Sequence, residues 1–234
     1  MRYFIAGGGC YGSYYVRQLD RARALGKISA TEIVVVDRNP QCAVSKTLDS
    51  IAGARLVVCD WLEFGKQVWE HQKEWANDMW VPTPIGPHIL YHWVANQGGI
   101  RSGALAHAPY QGVVPPLAYA QVIGEGTLVL SHAPGVCPVN CVEPLICPLT
   151  KDHRDWEMKD TVRELVQEQK ASHLIDDVAV FVCHHHSHGV GTIPMTSIYE
   201  EWNRIYQRLS SGARRVAVAT VSSCHGILDV MEKR

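Results

Sequence analysis

Short apolar runs alternate along the chain with longer stretches in which apolar positions recur every three or four residues. Residues 3–6 read as a strand and 11–25 as a helix. Glu32–Asp37 is the clearest strand, because three β-branched valines run together. Residues 43–51 read as a short helix, 55–59 as a third strand, 61–77 as a helix, 79–81 as a fourth strand and 88–97 as a further helix. Continuous apolar strands alternating with helices predict a parallel sheet covered on both faces. From 98 to 126 the sequence is rich in Gly, Ala and Pro and has no clean period. Residues 127–131 return to a strand. The stretch 132–148 carries four prolines and three cysteines and reads as a loop. A charged amphipathic helix (155–170), a strand (177–183), a helix (197–209), a strand (215–221) and a short final helix (226–233) complete the pattern. The expectation is one α/β domain over residues 1–234, doubly wound and mainly parallel, with an inserted Cys-rich loop. Its dinucleotide-binding half would be 1–97. A second half, 98–234, would carry the cysteine loop and the histidine run.

Composition narrows the partners. With 47% hydrophobic and 19% charged residues the chain reads as globular, not disordered. Lys plus Arg is 22 against 23 Asp plus Glu, so the surplus of positive charge that nucleic-acid or acidic-membrane binding calls for is absent. No run reaches the roughly 18 apolar residues of a membrane helix, so no membrane insertion is expected. Residues 1–9 do not read as a signal peptide, because glycines follow a very short apolar run. A cytoplasmic location follows as an expectation.

Gly7-Gly8-Gly9-Cys10-Tyr11-Gly12 fits G-x-G-x-x-G. A strand precedes it, a helix follows, and the next strand ends at Asp37, which is the context of a Rossmann-like dinucleotide site. Gly7 would make the tight turn, Gly9 would let the backbone approach a pyrophosphate, and Gly12 would let helix and strand pack closely. The N–H groups of Cys10 and Tyr11 would stand at the helix N-terminus facing phosphate. Asp37 would take the ribose hydroxyls and favour NAD over NADP. Arg38 keeps NADP open, since a guanidinium there can pair with a 2′-phosphate. FAD and S-adenosylmethionine use related turns. The segment also resembles the nucleotide-binding domains of potassium-uptake regulators, in which a second acidic residue follows the third strand. Asp60 stands at that place.

Eight cysteines and twelve histidines set this chain apart. In a reducing cytosol, clustered cysteines point to metal binding or chemistry more than to disulfides. Cys137, Cys141 and Cys147 give Cys-x3-Cys-x5-Cys in a proline-stiffened loop, which suits zinc or an iron–sulfur cluster. Val142, Leu145 and Ile146 would shield the centre from water. Cys224, just past the last strand, would be the fourth ligand, with Cys183 at the end of a neighbouring strand as the alternative. Cys10, Cys42 and Cys59 read as inert core thiols. In the run His184-His185-His186-Ser187-His188, a continuing strand puts His184 and His186 on one face, so His186 is a candidate acid or base. His88, beyond the fourth strand, is a second candidate, for substrate contact or for capping the helix.

Several motifs together resemble an uncharacterised prokaryotic Rossmann-type NAD(P)-binding family, common in anaerobes, that carries a Cys-Pro-x-x-Cys loop. They are the glycine turn, Val81-Pro82-Thr83-Pro84-Ile85-Gly86-Pro87-His88, the Cys137-Pro138-Val139-Asn140-Cys141-Val142-Glu143-Pro144 loop, Gly189-Val190-Gly191, and Cys224-His225-Gly226. That pattern has proline before the glycine where this chain has His188. The resemblance implies a nucleotide site and a cysteine site and brings no reaction. The expected function is an NAD(H)-binding redox protein with a cysteine-ligated metal or iron–sulfur centre and an unassigned substrate. The alternative is a non-enzymatic nucleotide or redox sensor. A redox or regulatory protein partner, and self-association, are compatible with both.

Overall fold

The computed structural model describes residues 1–82, 88–97 and 105–234. The fold is mixed α/β and is built on two sheets. Contacts group the chain into two compact units, Met1–Ile89 with His184–Ile198, and Leu90–Cys183 with Tyr199–Arg234.

The first unit holds β1 (Arg2–Ala6), α1 (Cys10–Ala24), β2 (Glu32–Asp37), α2 (Ser45–Leu48), β3 (Ala54–Val58), α3 (Trp61–Glu70), β4 (Met79–Val81) and the hairpin β9 (His184–Ser187) and β10 (Val190–Pro194). Its strand order is β3-β2-β1-β4-β10-β9. The first four strands are parallel, and β10 joins β4 antiparallel. Tyr3, Ile5, Ile33 and Val35 pack with Tyr15, Val16 and Leu19 of α1 on one face. The alternate residue Phe4 points the other way, into an aromatic cluster with Phe64 of α3 (5.4 Å between centroids) and Trp75 (4.8 Å). Both faces are therefore covered, which is why β2 is apolar throughout.

The second unit holds β5 (Leu105–Ala108), β6 (Tyr119–Ile123), β7 (Thr127–Ser131), α5 (Met158–Lys170), β8 (Asp177–Val182), β11 (Arg215–Val221) and β12 (His225–Lys233). The helices α4 (Ile89–Ala95) and α6 (Met195–Ser210) start at the ends of the first unit's segments. Strand order is β6-β7-β12-β11-β8, and β5 also pairs β12. Among the described residues of this sheet, β8 and β11 pair parallel and the other pairings are antiparallel. Met158, Val162, Leu165 and Val166 line one stripe of α5. They pack on Leu128, Leu130, Val178, Val180, Ala217, Ala219, Leu228 and Val230, alternate residues of four strands.

Two expectations are corrected. A single mainly parallel sheet does not describe the chain, because each sheet mixes parallel and antiparallel pairs. The final segment is the strand β12, not a helix. It lies between β11 and the β7–β5 side of the sheet and is buried on both faces, so the polar/apolar alternation that marks a strand is missing.

Asp177, at the start of β8, anchors one end of the second sheet. Burial pushes its carboxyl up, but the Val178 N–H, Arg204 and Arg208 outweigh that and hold it below the usual 3.8. Its contribution is thus fully present above pH 3.8 and is lost as pH falls through the lower folded value. Asp177→Asn is expected to flatten the acid side of the thermal-stability profile. An unchanged acid limb would show that the carboxylate adds nothing.

Candidate functional site

In the first unit the glycine turn lies between β1 and α1. Gly7 has φ +83, a left-handed value that glycine adopts without strain. A Cβ on Gly12 would stand 1.9 Å from the Gly7 carbonyl oxygen, so only glycine lets α1 approach β1 this closely. A Cβ on Gly9 would meet nothing within 4 Å. Gly9 is the N-cap of α1 and makes no side-chain cap, and the exposed Cys10 and half-buried Tyr11 follow it. Gly8 is a free position in the sequence motif, yet a Cβ there would lie 2.3 Å from Cys42 Sγ. The segment after β2 therefore closes against the turn through Cys42 and Val44, and Val44 N–H donates to the Gly8 carbonyl (2.9 Å).

Asp37 accepts hydrogen bonds from Gly8 N–H (2.7 Å) and Asn39 N–H (2.8 Å). It thereby ties the end of β2 to the turn, while each oxygen keeps a lone pair for a further donor. Arg38 is exposed. Trp61 donates its indole N–H to the Val36 carbonyl (3.0 Å), and its ring lies beside Gly7. Asp60 has a structural role, since its Oδ1 accepts from Leu62 N–H (2.8 Å) and caps α3.

The cysteine loop lies in the second unit. It is fastened to the β11–β12 turn by Glu143, whose carboxylate accepts from Ser223 N–H (2.9 Å) and Ser223 Oγ–H (3.2 Å). Glu143 has φ +53. Arg154 donates to the Glu143 and Pro144 carbonyls, and its backbone N–H donates to the Leu145 carbonyl, so the loop is held from below as well. His225 Nε2 is 3.2 Å from Cys137 Sγ, and its Nδ1 is 3.0 Å from Ser131 Oγ. Trp156 Nε1–H donates to Cys224 Sγ (3.4 Å), and Glu143 N–H donates to Cys141 Sγ (3.4 Å). Cys147 Sγ accepts from the backbone N–H groups of Thr150 and Leu149 and from the Thr150 hydroxyl. These bonds hold its thiol below the usual range against the effect of burial. Burial and the negative charges of Cys141, Cys224, Cys147 and Glu143 push the Cys137 thiol up to about 11.

All eight cysteines are free thiols. Among the described residues, no three His, Cys, Asp or Glu side chains are grouped tightly enough to hold one metal ion. The expected convergence of the loop cysteines on a single point is therefore not found. Cys183 is buried, its thiol is raised by burial, and the charge that acts on it is Glu143. Cys224 adjoins His225, whose ring reaches Cys137; with Cys137, Cys141 and Cys147 it makes up the loop set. Val142, Leu145 and Ile146 are 50%, 67% and 54% exposed, so they do not shield the loop as expected. Cys42 is buried and Cys59 half-buried as core thiols would be, but Cys10 is exposed.

The histidine run forms β9, an edge strand. His188 (φ +52) and Gly189 (φ +75) make the two-residue turn into β10, a conformation that proline cannot adopt at 188. His186 lies on β9, but its side chain is outside the described residues. His88 is buried at the start of α4. Residues 83–87, which carry the proline motif, are also outside the described residues. Sequence reasoning missed Glu143, Trp156, Ser131 and the sulfur contact of His225. The last was signalled only by its place next to Cys224.

Residues 90–234 match the family model AF_1314_C, described as the C-terminal domain of an uncharacterized protein. The chain belongs to the AF_1314_C family. The matched segment contains every cysteine of the loop set and its N–H donors. An uncharacterized protein of Archaeoglobus fulgidus is 24% identical over 238 residues, covering 98% of each chain, so the likeness extends beyond the AF_1314_C segment into the glycine-turn unit. No solved structure matches.

Proposed function

We propose that the protein is an NAD(H)-binding redox protein whose second unit carries a cysteine-ligated metal centre. The observation that carries the nucleotide half is the glycine turn. Gly7 makes the bend, Gly12 seats the helix, Gly9 leaves its approach open, and Asp37 waits at the end of the adjacent strand. The parallel order β3-β2-β1-β4 supports a Rossmann-like reading of this unit. The phosphates would lie at the N-terminus of α1, where N–H groups and the helix dipole favour negative charge. Asp37 would accept the ribose hydroxyls, and the indole of Trp61, fixed by Val36, offers a face for the base. The free thiols fit a reducing, cytoplasmic setting. No helix among the described residues is long and apolar enough to cross a membrane.

A nucleotide sensor is the second reading. The antiparallel β10–β9 hairpin follows β4 in the sheet where a second parallel nucleotide-binding half would continue, which favours a site that holds a nucleotide without turning it over. Titrations followed by tryptophan fluorescence test the shared core of both readings. NAD(H) is expected to bind at least about tenfold tighter than NADP(H), about 1.4 kcal/mol, because Asp37 repels a 2′-phosphate. Trp61→Phe should remove most of the quench. Equal affinities would overturn the role of Asp37, and binding of neither would overturn the site. Turnover of NADH with an artificial acceptor separates enzyme from sensor.

A further inference from the structure

We infer that a cavity beside the start of β1 binds a medium-chain carboxylate, with its apolar tail inward and its head group at the rim. The inference is independent of the nucleotide and cysteine readings. The cavity has a volume of about 350 Å³ and lies wholly within the first unit. Tyr3 and Val190 of the sheet, Leu19 of α1 and Ile28 beyond that helix form its apolar wall, and Lys27 and Ser29 also line it. Tyr3 stands near the start of β1, whereas the glycine turn follows the end of that strand, so the two sites lie at opposite ends of β1. The hollow has a cause in the topology. A further parallel strand would bring a crossover helix over this side of the sheet, but β10 enters antiparallel, as half of a hairpin. Among the described residues, α1 supplies the helical part of the lining.

Three polar groups of the lining fit an anionic head. Tyr3 is only 5% exposed, yet its hydroxyl has no hydrogen-bond partner among the described residues. A buried hydroxyl costs free energy until a partner fills that bond. Burial pushes the phenol above its usual 10, so it stays a neutral donor. Lys27 is exposed and pairs with no acid among the described residues, and the Ser29 hydroxyl makes no hydrogen bond to them. No acidic side chain is among the described residues that line the cavity. The set therefore matches a carboxylate, not a cation. A small hydrophilic anion would leave the apolar wall unused. Size sets the tail. A cavity of about 150 Å³ holds one benzene, so this one takes on the order of a dozen heavy atoms, a carboxylate of about eight to ten carbons.

The test is calorimetric titration of the full chain with straight-chain carboxylates from butanoate to dodecanoate, and with 1-octanol as the uncharged probe. Saturable binding is expected, tightening about fourfold per methylene and levelling beyond about ten carbons, where the cavity is full. Tyr3→Phe removes the buried donor and keeps the ring, so octanoate should bind about tenfold more weakly or worse. Lys27→Ala acts at an exposed charge and should weaken octanoate about threefold while leaving 1-octanol unchanged. Ser29→Trp should fill the mouth from an exposed position, so octanoate binding is lost while the thermal melt stays normal. Gly9→Val should bind octanoate as the unaltered chain does, which separates this site from the glycine turn. No saturable binding of any carboxylate would overturn the site. Equal affinity for octanoate and 1-octanol, or octanoate binding untouched by both Tyr3→Phe and Lys27→Ala, would overturn the carboxylate. Affinity still rising at dodecanoate would put the tail on the surface and overturn the cavity as its seat.

Discussion

Gly12→Ala is expected to disrupt the first unit, whereas Gly9→Val should leave its stability unchanged and abolish nucleotide binding. At Gly12 the added methyl would lie 1.9 Å from the Gly7 carbonyl oxygen, which is backbone and cannot swing aside. Either α1 lifts from β1 or the turn opens. Overpacking of this severity costs about 3 kcal/mol or more, a large part of the roughly 5–15 kcal/mol that holds a domain together. A fall in melting temperature of about 6–12 °C would follow. At Gly9 a side chain meets no protein atom within 4 Å, and its φ of −73 suits any residue. It would instead fill the space in front of the helix N-terminus that a pyrophosphate would occupy. Calorimetry and thermal melts on the two variants separate architecture from ligand. Normal stability of Gly12→Ala would contradict the close helix–strand approach. Undiminished NAD(H) binding by Gly9→Val would remove the nucleotide from this turn.

Glu143→Ala should free the cysteine loop from the β11–β12 turn. Two hydrogen bonds to a carboxylate are lost, and such bonds contribute about 1.5–3 kcal/mol. Hydrogen exchange at the Ser223 amide is expected to quicken by about 10–100-fold, with proteolysis appearing between residues 132 and 157. Glu143→Gln keeps one acceptor and should fall between the two. Unchanged exchange at Ser223 in Glu143→Ala would show that the loop is held by Arg154 alone.

The parts of this molecule that were legible in sequence are those whose causes are local. Glu32–Asp37, Thr127–Ser131 and Arg215–Val221 form strands with the bounds their β-branched and apolar runs predict. The glycine turn was legible for the same reason, since its three special positions lie within six residues. The helix expected over 61–77 stops at Glu70, and α2 shrinks to Ser45–Leu48. β12 reads equally well as a helix, because Ile227, Leu228, Val230 and Met231 fit the spacing of a helix face as well as a strand buried on both sides. β5 and β6 lie in the Gly- and Pro-rich stretch, where pairing with distant strands supplies the order that periodicity does not. In the cysteine site the ligand candidates could be read from their spacing. Their donors could not: Trp156 reaches Cys224 across 68 residues, and Ser131 reaches His225 across 94.

The placement of β12 also dictates the order in which the second sheet can be assembled during synthesis. This strand is flanked by β11 on one side and by β7 and β5, end to end, on the other. Until it leaves the ribosome the nascent unit consists of two separate pieces, a β6–β7 hairpin and a β8–β11 pair, each with an open edge, while β5 has no partner strand. Contacts of such long range close slowly, and unpaired edges in the meantime are templates for other chains. A stop codon just after Cys224 would spare every cysteine of the loop set, yet it would strand both pieces and yield aggregates rather than a trimmed but working protein.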